Sequence, residues 1–144
     1  MKYKCVIADD STLERDLLQM LLLKTGLVDI VAACSDGMQA YHAITRQDVD
    51  LVVTDIDMPE MNGLELVKSL KQQPVFIFVS AHKEYASEGF DLDVADFILK
   101  PLQIERLLRA LDKAGKMISL KRLDIAAMPP ITVDDSSMAI FLSA

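Results

Sequence analysis

Five short runs rich in Val, Ile and Phe recur along the chain, at residues 3 to 8, 28 to 33, 50 to 54, 74 to 79 and 94 to 99, with helically spaced apolar residues between them. Runs of this length are strands rather than helices, and their alternation with helical patterns predicts βα units closed into a parallel sheet. The runs are nearly continuous in apolar residues instead of alternating, so the sheet is expected to be covered on both faces. A chain of 144 residues, half of them hydrophobic, suits one ordinary α/β domain with a tail.

The intervening segments carry helix signals. Ser11 is placed as an N-cap with Glu14 three residues on, a capping-box spacing, and Leu13, Leu17, Leu18, Leu21 and Leu22 form the apolar stripe that Gly26 ends. The second helix follows Asp36-Gly37 and runs to about Arg46, burying Ala40, Ala43 and Ile44. The third starts near Asn62-Gly63 and carries Leu64, Leu66, Val67 and Leu70 up to Pro74. A short fourth helix is expected over 83 to 90, and a fifth after Pro101 with Ile104, Leu107, Leu108 and Leu111 on one face. Residues 1–119 then form the domain. Past 119 the pattern fades through Lys121-Arg122 and Pro129-Pro130, so residues 120–144 read as a linker or C-terminal tail with one further strand.

Right-handed crossovers wind such a sheet in both directions, and ligands bind beyond the carboxyl ends of its strands. The polar residues at those ends are Asp9 and Asp10 after the first strand, Asp55 and Asp57 after the third, Ser80 after the fourth and Lys100 after the fifth. Carboxylates gathered in this way repel one another and call for a cation, for which Mg²⁺ is the natural choice among oxygen donors and phosphate. Asp55, fixed at the end of a buried strand yet open to solvent, is a carboxylate able to attack phosphorus and become an acyl phosphate. The acidic pair would hold the metal that neutralises the transferred group, Lys100 would supply a flexible point charge, and Ser80 one hydrogen bond. Each residue alone has an ordinary structural role open to it, as a turn former, cap or solvated charge. It is their placement on four strand ends that points to phosphoryl transfer.

These residues resemble the receiver domain of two-component response regulators. The resemblance runs from residue 3 to about 118, through the Asp9-Asp10 pair, SDGMQAY, DIDMPEMNGLEL, SAH and ADFILKP. It implies a flavodoxin-like doubly wound sheet of five parallel strands, order 2-1-3-4-5, with five helices. It makes Asp55 the phosphorylation site, Asp10 a direct Mg²⁺ ligand, Asp9 a ligand through water, and the Asp57 backbone carbonyl a further metal contact. Ser80 and Phe97 take the switch positions, Lys100 that of the family's lysine, and the Lys100-Pro101 bond is expected to be cis. Asp57 and His82, two residues beyond Asp55 and Ser80, fall where relatives tune the lifetime of the acyl phosphate. The partner implied is a sensor histidine kinase, and a homodimer is expected through the face of the fourth helix, fifth strand and fifth helix. The segment AHKEYASEGFDLDVADFILKPLQIERLLRAL is most similar to receivers that precede a LytTR-type DNA-binding domain, which is absent from this chain. The chain is therefore expected to be part of a longer transcriptional regulator.

A net charge of −7 disfavours direct binding to nucleic acid or to an acidic membrane. With neither a secretory h-region nor a membrane-length apolar run, a cytoplasmic location is expected. The two cysteines, Cys5 and Cys34, fall in strands and are expected to be reduced core residues. Two other functions fit parts of the pattern. A haloacid-dehalogenase-like phosphatase would use Asp55-Ile56-Asp57 as its DxD motif, though that motif normally ends the first strand. A non-phosphorylated pseudo-receiver would be an interaction module, though such modules lose an acidic residue or the lysine. The favoured reading is a signalling switch that catalyses only its own phosphorylation and dephosphorylation, and is otherwise no enzyme.

Overall fold

In the computed structural model, which describes residues 2–127, the five runs form the parallel strands β1 (Tyr3–Ala8), β2 (Val28–Cys34), β3 (Leu51–Asp55), β4 (Val75–Ser80) and β5 (Asp96–Leu99). Their order is β2-β1-β3-β4-β5, as expected. The connecting helices are α1 (Thr12–Thr25), α2 (Gly37–Thr45), α3 (Gly63–Ser69), α4 (Ala86–Asp91) and α5 (Ile104–Ala127), with a 3₁₀ turn over Lys83–Tyr85 before α4.

Side chains alternate across a pleated strand, and here the two sets feed two separate cores. Cys5, Ile7, Leu51, Val53, Val75, Ile77 and Val79 pack under α1 and α5. Val6, Ala8, Val52, Phe76 and Phe78 pack under α2 and α3. This dual burial is why the central strands read as nearly continuous apolar runs. Cys5 and Cys34 are buried free thiols, and burial pushes their pKa values up to about 12 and about 11, which leaves them unreactive at neutral pH.

Three local expectations need correction. In α1 only Leu18 and Leu22 are buried, with Leu21 packed at the margin, whereas Leu13 is 81% exposed and Leu17 is also exposed. The leucine stripe is wider than the strip of sheet that one helix covers when α5 lies beside it, and Leu108 of α5 is exposed for the same reason. Ser11 does cap α1 by accepting the Glu14 N–H, but the reciprocal bond is missing, because the Ser11 N–H is taken by Asp9 and the Glu14 carboxylate by Lys100. Finally, α5 continues eight residues past 119. Polar anchors hold that end: Lys121 donates to the Gln73 carbonyl at 2.6 Å and Arg122 pairs with Asp50 at 3.1 Å. Apolar periodicity cannot reveal a helix end held by such bonds. The strand expected further on lies outside the described residues.

The full capping box belongs to α3. The Asn62 side chain accepts from Glu65 N–H at 2.8 Å, and the Glu65 carboxylate accepts from Asn62 N–H at 3.1 Å. Asn62→Ala should lower stability by about 1 kcal/mol in urea titrations. The loop before α3 is also hemmed in by glycines. A Cβ on Gly37 would lie 1.8 Å from the Met61 carbonyl oxygen, and one on Gly63 would lie 2.6 Å from that of Asp55. Backbone passes too close at both places for any side chain, so this loop is held firmly at the carboxyl edge of the sheet.

Candidate functional site

Asp55 is the last residue of β3, paired in register with Val79 of β4. Its Oδ1 accepts the Ile56 N–H at 2.7 Å, and its Oδ2 lies 3.3 Å from Lys100 Nζ. The preceding Thr54 hydroxyl donates to the Asp55 carbonyl, and Gly63 N–H donates to that of Ile56, so both sides of the turn are tied down. Asp9 follows β1 and is almost fully buried. Its Oδ1 accepts the Ser11 N–H at 2.9 Å, its Oδ2 accepts from Lys100 at 3.0 Å, and its carbonyl accepts from the Arg15 guanidinium.

Lys100 follows β5, its N–H donating to the Ser80 carbonyl at 2.8 Å, and its peptide bond to Pro101 is cis. The ammonium meets three carboxylates, those of Asp9, Asp55 and Glu14. Burial disfavours its charge, yet hydrogen bonds to Glu14 and Asp9 and the nearby charges hold its pKa above the ordinary value. Asp55 goes the other way. Burial is the larger influence and raises its pKa to about 6, against the opposing pull of Lys100.

The structure therefore gathers Asp9, Asp55 and Lys100 at one point. Ser80 is fully buried beside them, its Oγ accepting the His82 N–H at 3.1 Å. Carboxylate oxygens of Asp9, Glu14 and Asp55 lie within 4.8 Å of one another and can hold a metal ion. Two buried acids and a third at the rim against one ammonium leave an excess of negative charge, which suits a hard divalent cation. Asp10 is exposed and is not in that group. On the far side of the mouth, Asp57 accepts from the Tyr85 hydroxyl at 2.9 Å and lies 3.5 Å from His82 Nε2, while His82 Nδ1 is 3.4 Å from Glu84. Phe97 is partly buried against the α2/α3 core, and Arg106 donates to its carbonyl as well as to both oxygens of Asp96.

Sequence reading missed Glu14 and Tyr85. Glu14 was legible only as a cap, and a tyrosine in a 3₁₀ turn carries no signal of what its hydroxyl will reach.

A family model for the response regulator receiver domain matches residues 5–112. The chain belongs to that family. An uncharacterized response regulatory protein of Yersinia pestis is 37% identical to this receiver domain over 120 residues, covering 82% of the chain and 50% of that protein. The sensory transduction protein LytT of Bacillus anthracis is 34% identical over 116 residues, covering 78% and 47%. The receiver thus spans about half the length of the curated relatives it matches, and the likeness to LytT agrees with the expected kinship to LytTR-type regulators. Among solved structures, the receiver (REC) domain of AraT from Geobacillus stearothermophilus superposes with a TM-score of 0.75 at 28% identity, covering 85% of this chain and 99% of that one. Among the described residues no helix is long and apolar enough to cross a membrane.

Proposed function

We propose that this receiver domain accepts a phosphoryl group on Asp55 from a sensor histidine kinase and changes conformation in response. The observation that carries the reading is the convergence of Asp9, Asp55 and Lys100 from three strand ends, within 3.3 Å of one ammonium. An Asp55 oxygen attacks phosphorus, the P–N bond of the phosphohistidine breaks, and its electron pair returns to the imidazole. Lys100 steadies a phosphoryl oxygen, and the buried Ser80 hydroxyl turns to donate to another. By the family pattern Asp9, Asp10, Asp55 and the Asp57 carbonyl would hold Mg²⁺, and of these Asp9 and Asp55 already lie together while Asp10 is exposed outside that group. Bound there, Mg²⁺ neutralises charge on the phosphoryl oxygens. Phe97, lacking a phenol hydroxyl, responds only by repositioning its ring. The new phosphoryl contacts favour one of two conformations and alter the surface of α4, β5 and α5, where Phe90 is 84% exposed and Leu99 is also open to a second copy of the chain.

Family membership and the third-strand position of Asp55 count against a dehalogenase-like phosphatase, and the intact acid and lysine set counts against a pseudo-receiver. Incubation with acetyl phosphate and Mg²⁺ should give one hydroxylamine-labile phosphoryl group per chain, mapped by mass spectrometry to the peptide containing Asp55. Label elsewhere, or none, would refute the assignment.

Asp57 and His82, half-exposed side chains paired at 3.5 Å two residues beyond Asp55 and Ser80, would set how long the phosphoryl group lasts by standing where water would approach it. His82→Ala and Asp57→Ala should each change the dephosphorylation rate severalfold. Rates equal to the unsubstituted protein's would remove this role.

A further inference from the structure

We propose that Glu14 is a positioning residue for Lys100, holding its ammonium in the resting state and giving it up when the phosphoryl group arrives. The proposal rests on the reading of Asp55 as acceptor. An ammonium has three protons, and those of Lys100 face three carboxylates, Asp9 at 3.0 Å, Asp55 at 3.3 Å and Glu14. Every donor is engaged, so a phosphoryl oxygen can bind Lys100 only by displacing one of them. The three differ in what release entails. Asp9 is 3% exposed and also fixed to the Ser11 N–H, so in the metal-free resting state losing the ammonium leaves a charge in a dry place. Asp55 is the residue that carries the incoming group. The Glu14 side chain is 46% exposed, so water can take over its oxygens at once. Glu14 is therefore the partner that leaves.

Two further features fit this assignment. Glu14 stands at the position that would complete a capping box on Ser11, yet its carboxylate is turned to Lys100 instead. It also adds a negative charge at the rim of the site, opposing the entry of an anionic group. In the resting state Glu14 thus competes with phosphate for the same cation.

Beryllofluoride with Mg²⁺, which mimics the phosphoryl group on the acceptor carboxylate, tests this by calorimetric titration of the unsubstituted chain, Glu14→Gln and Glu14→Asp. Glu14→Gln removes the charge, and Glu14→Asp keeps it but is one methylene too short to hold the ammonium. Both should bind roughly two- to fivefold more tightly than the unsubstituted chain, the gain that follows from removing one partly exposed competing ion pair. The Glu14→Gln advantage should shrink as salt is raised, which a merely structural effect would not do. Equal or weaker binding by both variants overturns the proposal. Glu14→Asp matching the unsubstituted chain while Glu14→Gln binds more tightly would mean a long-range field without competition for Lys100, and would overturn it as well. Failure of the unsubstituted chain to bind would overturn the acceptor reading itself.

Discussion

Asp55→Asn is expected to abolish phosphorylation and at the same time to make the folded domain more stable. With radiolabelled acetyl phosphate and Mg²⁺, the unsubstituted chain should be labelled and the variant should retain under about one hundredth of that label, because an amide oxygen is no nucleophile for phosphorus. Equal labelling of both would end the assignment. The stability gain follows from the raised pKa of Asp55, about 6 in the folded state, against about 3.9 in an unfolded chain. The folded state binds this proton more tightly, so the carboxylate is a burden that is fully present above pH 6 and absent below about pH 4. Asparagine relieves it. In metal-free buffer at pH 7 the variant should gain about 1–2 kcal/mol in urea denaturation, allowing for its weaker bonds to Ile56 N–H and Lys100. The gain should fade as pH falls from 6 to 4. A variant less stable than the unsubstituted chain at pH 7 would contradict the buried, ionised acceptor.

The opposite result is expected for Lys100→Met. The substituted side chain fits the same apolar surroundings but leaves Asp9 and Asp55 buried without a cation. Removing one partner of a buried ion pair typically costs about 3–5 kcal/mol. Here one of the three carboxylates is half exposed and Asp55 can respond by taking a proton, so a loss of about 2–4 kcal/mol at pH 7 is expected. Without the ammonium the Asp55 pKa rises further, so the deficit should narrow as pH is lowered from 7 to 5. Millimolar Mg²⁺ should narrow it at pH 7, by binding the folded state and replacing the missing charge. Urea midpoints at the two pH values, with and without the metal, check both trends. A deficit independent of pH and of Mg²⁺ would show that Lys100 supports the fold by packing rather than by charge.

Much of this was legible in the sequence because burial on two faces leaves a strong mark. β3 and β4 are nearly continuous apolar runs whose ends place Asp55 and Ser80 within a residue of where they lie, and Gly26 marks the end of α1 on elementary conformational grounds, whereas α3 stops at Ser69, short of the Pro74 limit. The site residues that could be read were those lying directly after strands, since topology alone carries Asp9, Asp55 and Lys100 to one edge. Glu14 was harder to see, because its partner is 86 residues away and a glutamate three positions after a serine has a good local explanation. Tyr85 depends on the path of the 3₁₀ turn, which brings its hydroxyl to Asp57 across 28 residues. The last two turns of α5 were hidden for a different reason. Lys121 and Arg122 read as the start of a linker, yet they attach the helix to β4's approach and to Asp50 through side-chain bonds that have no periodicity.

That attachment makes α5 a lever. Its 24 residues span about 36 Å, from the loop holding Lys100 to the opposite edge of the sheet. If the acceptor end of such a rod tilts by about 5°, simple geometry moves Arg122, about 27 Å along it, by about 2 Å, most of the length of the Arg122–Asp50 contact at 3.1 Å. A tilt of that size at the Asp55 end would thereby stretch the fastening of the helix at its other end.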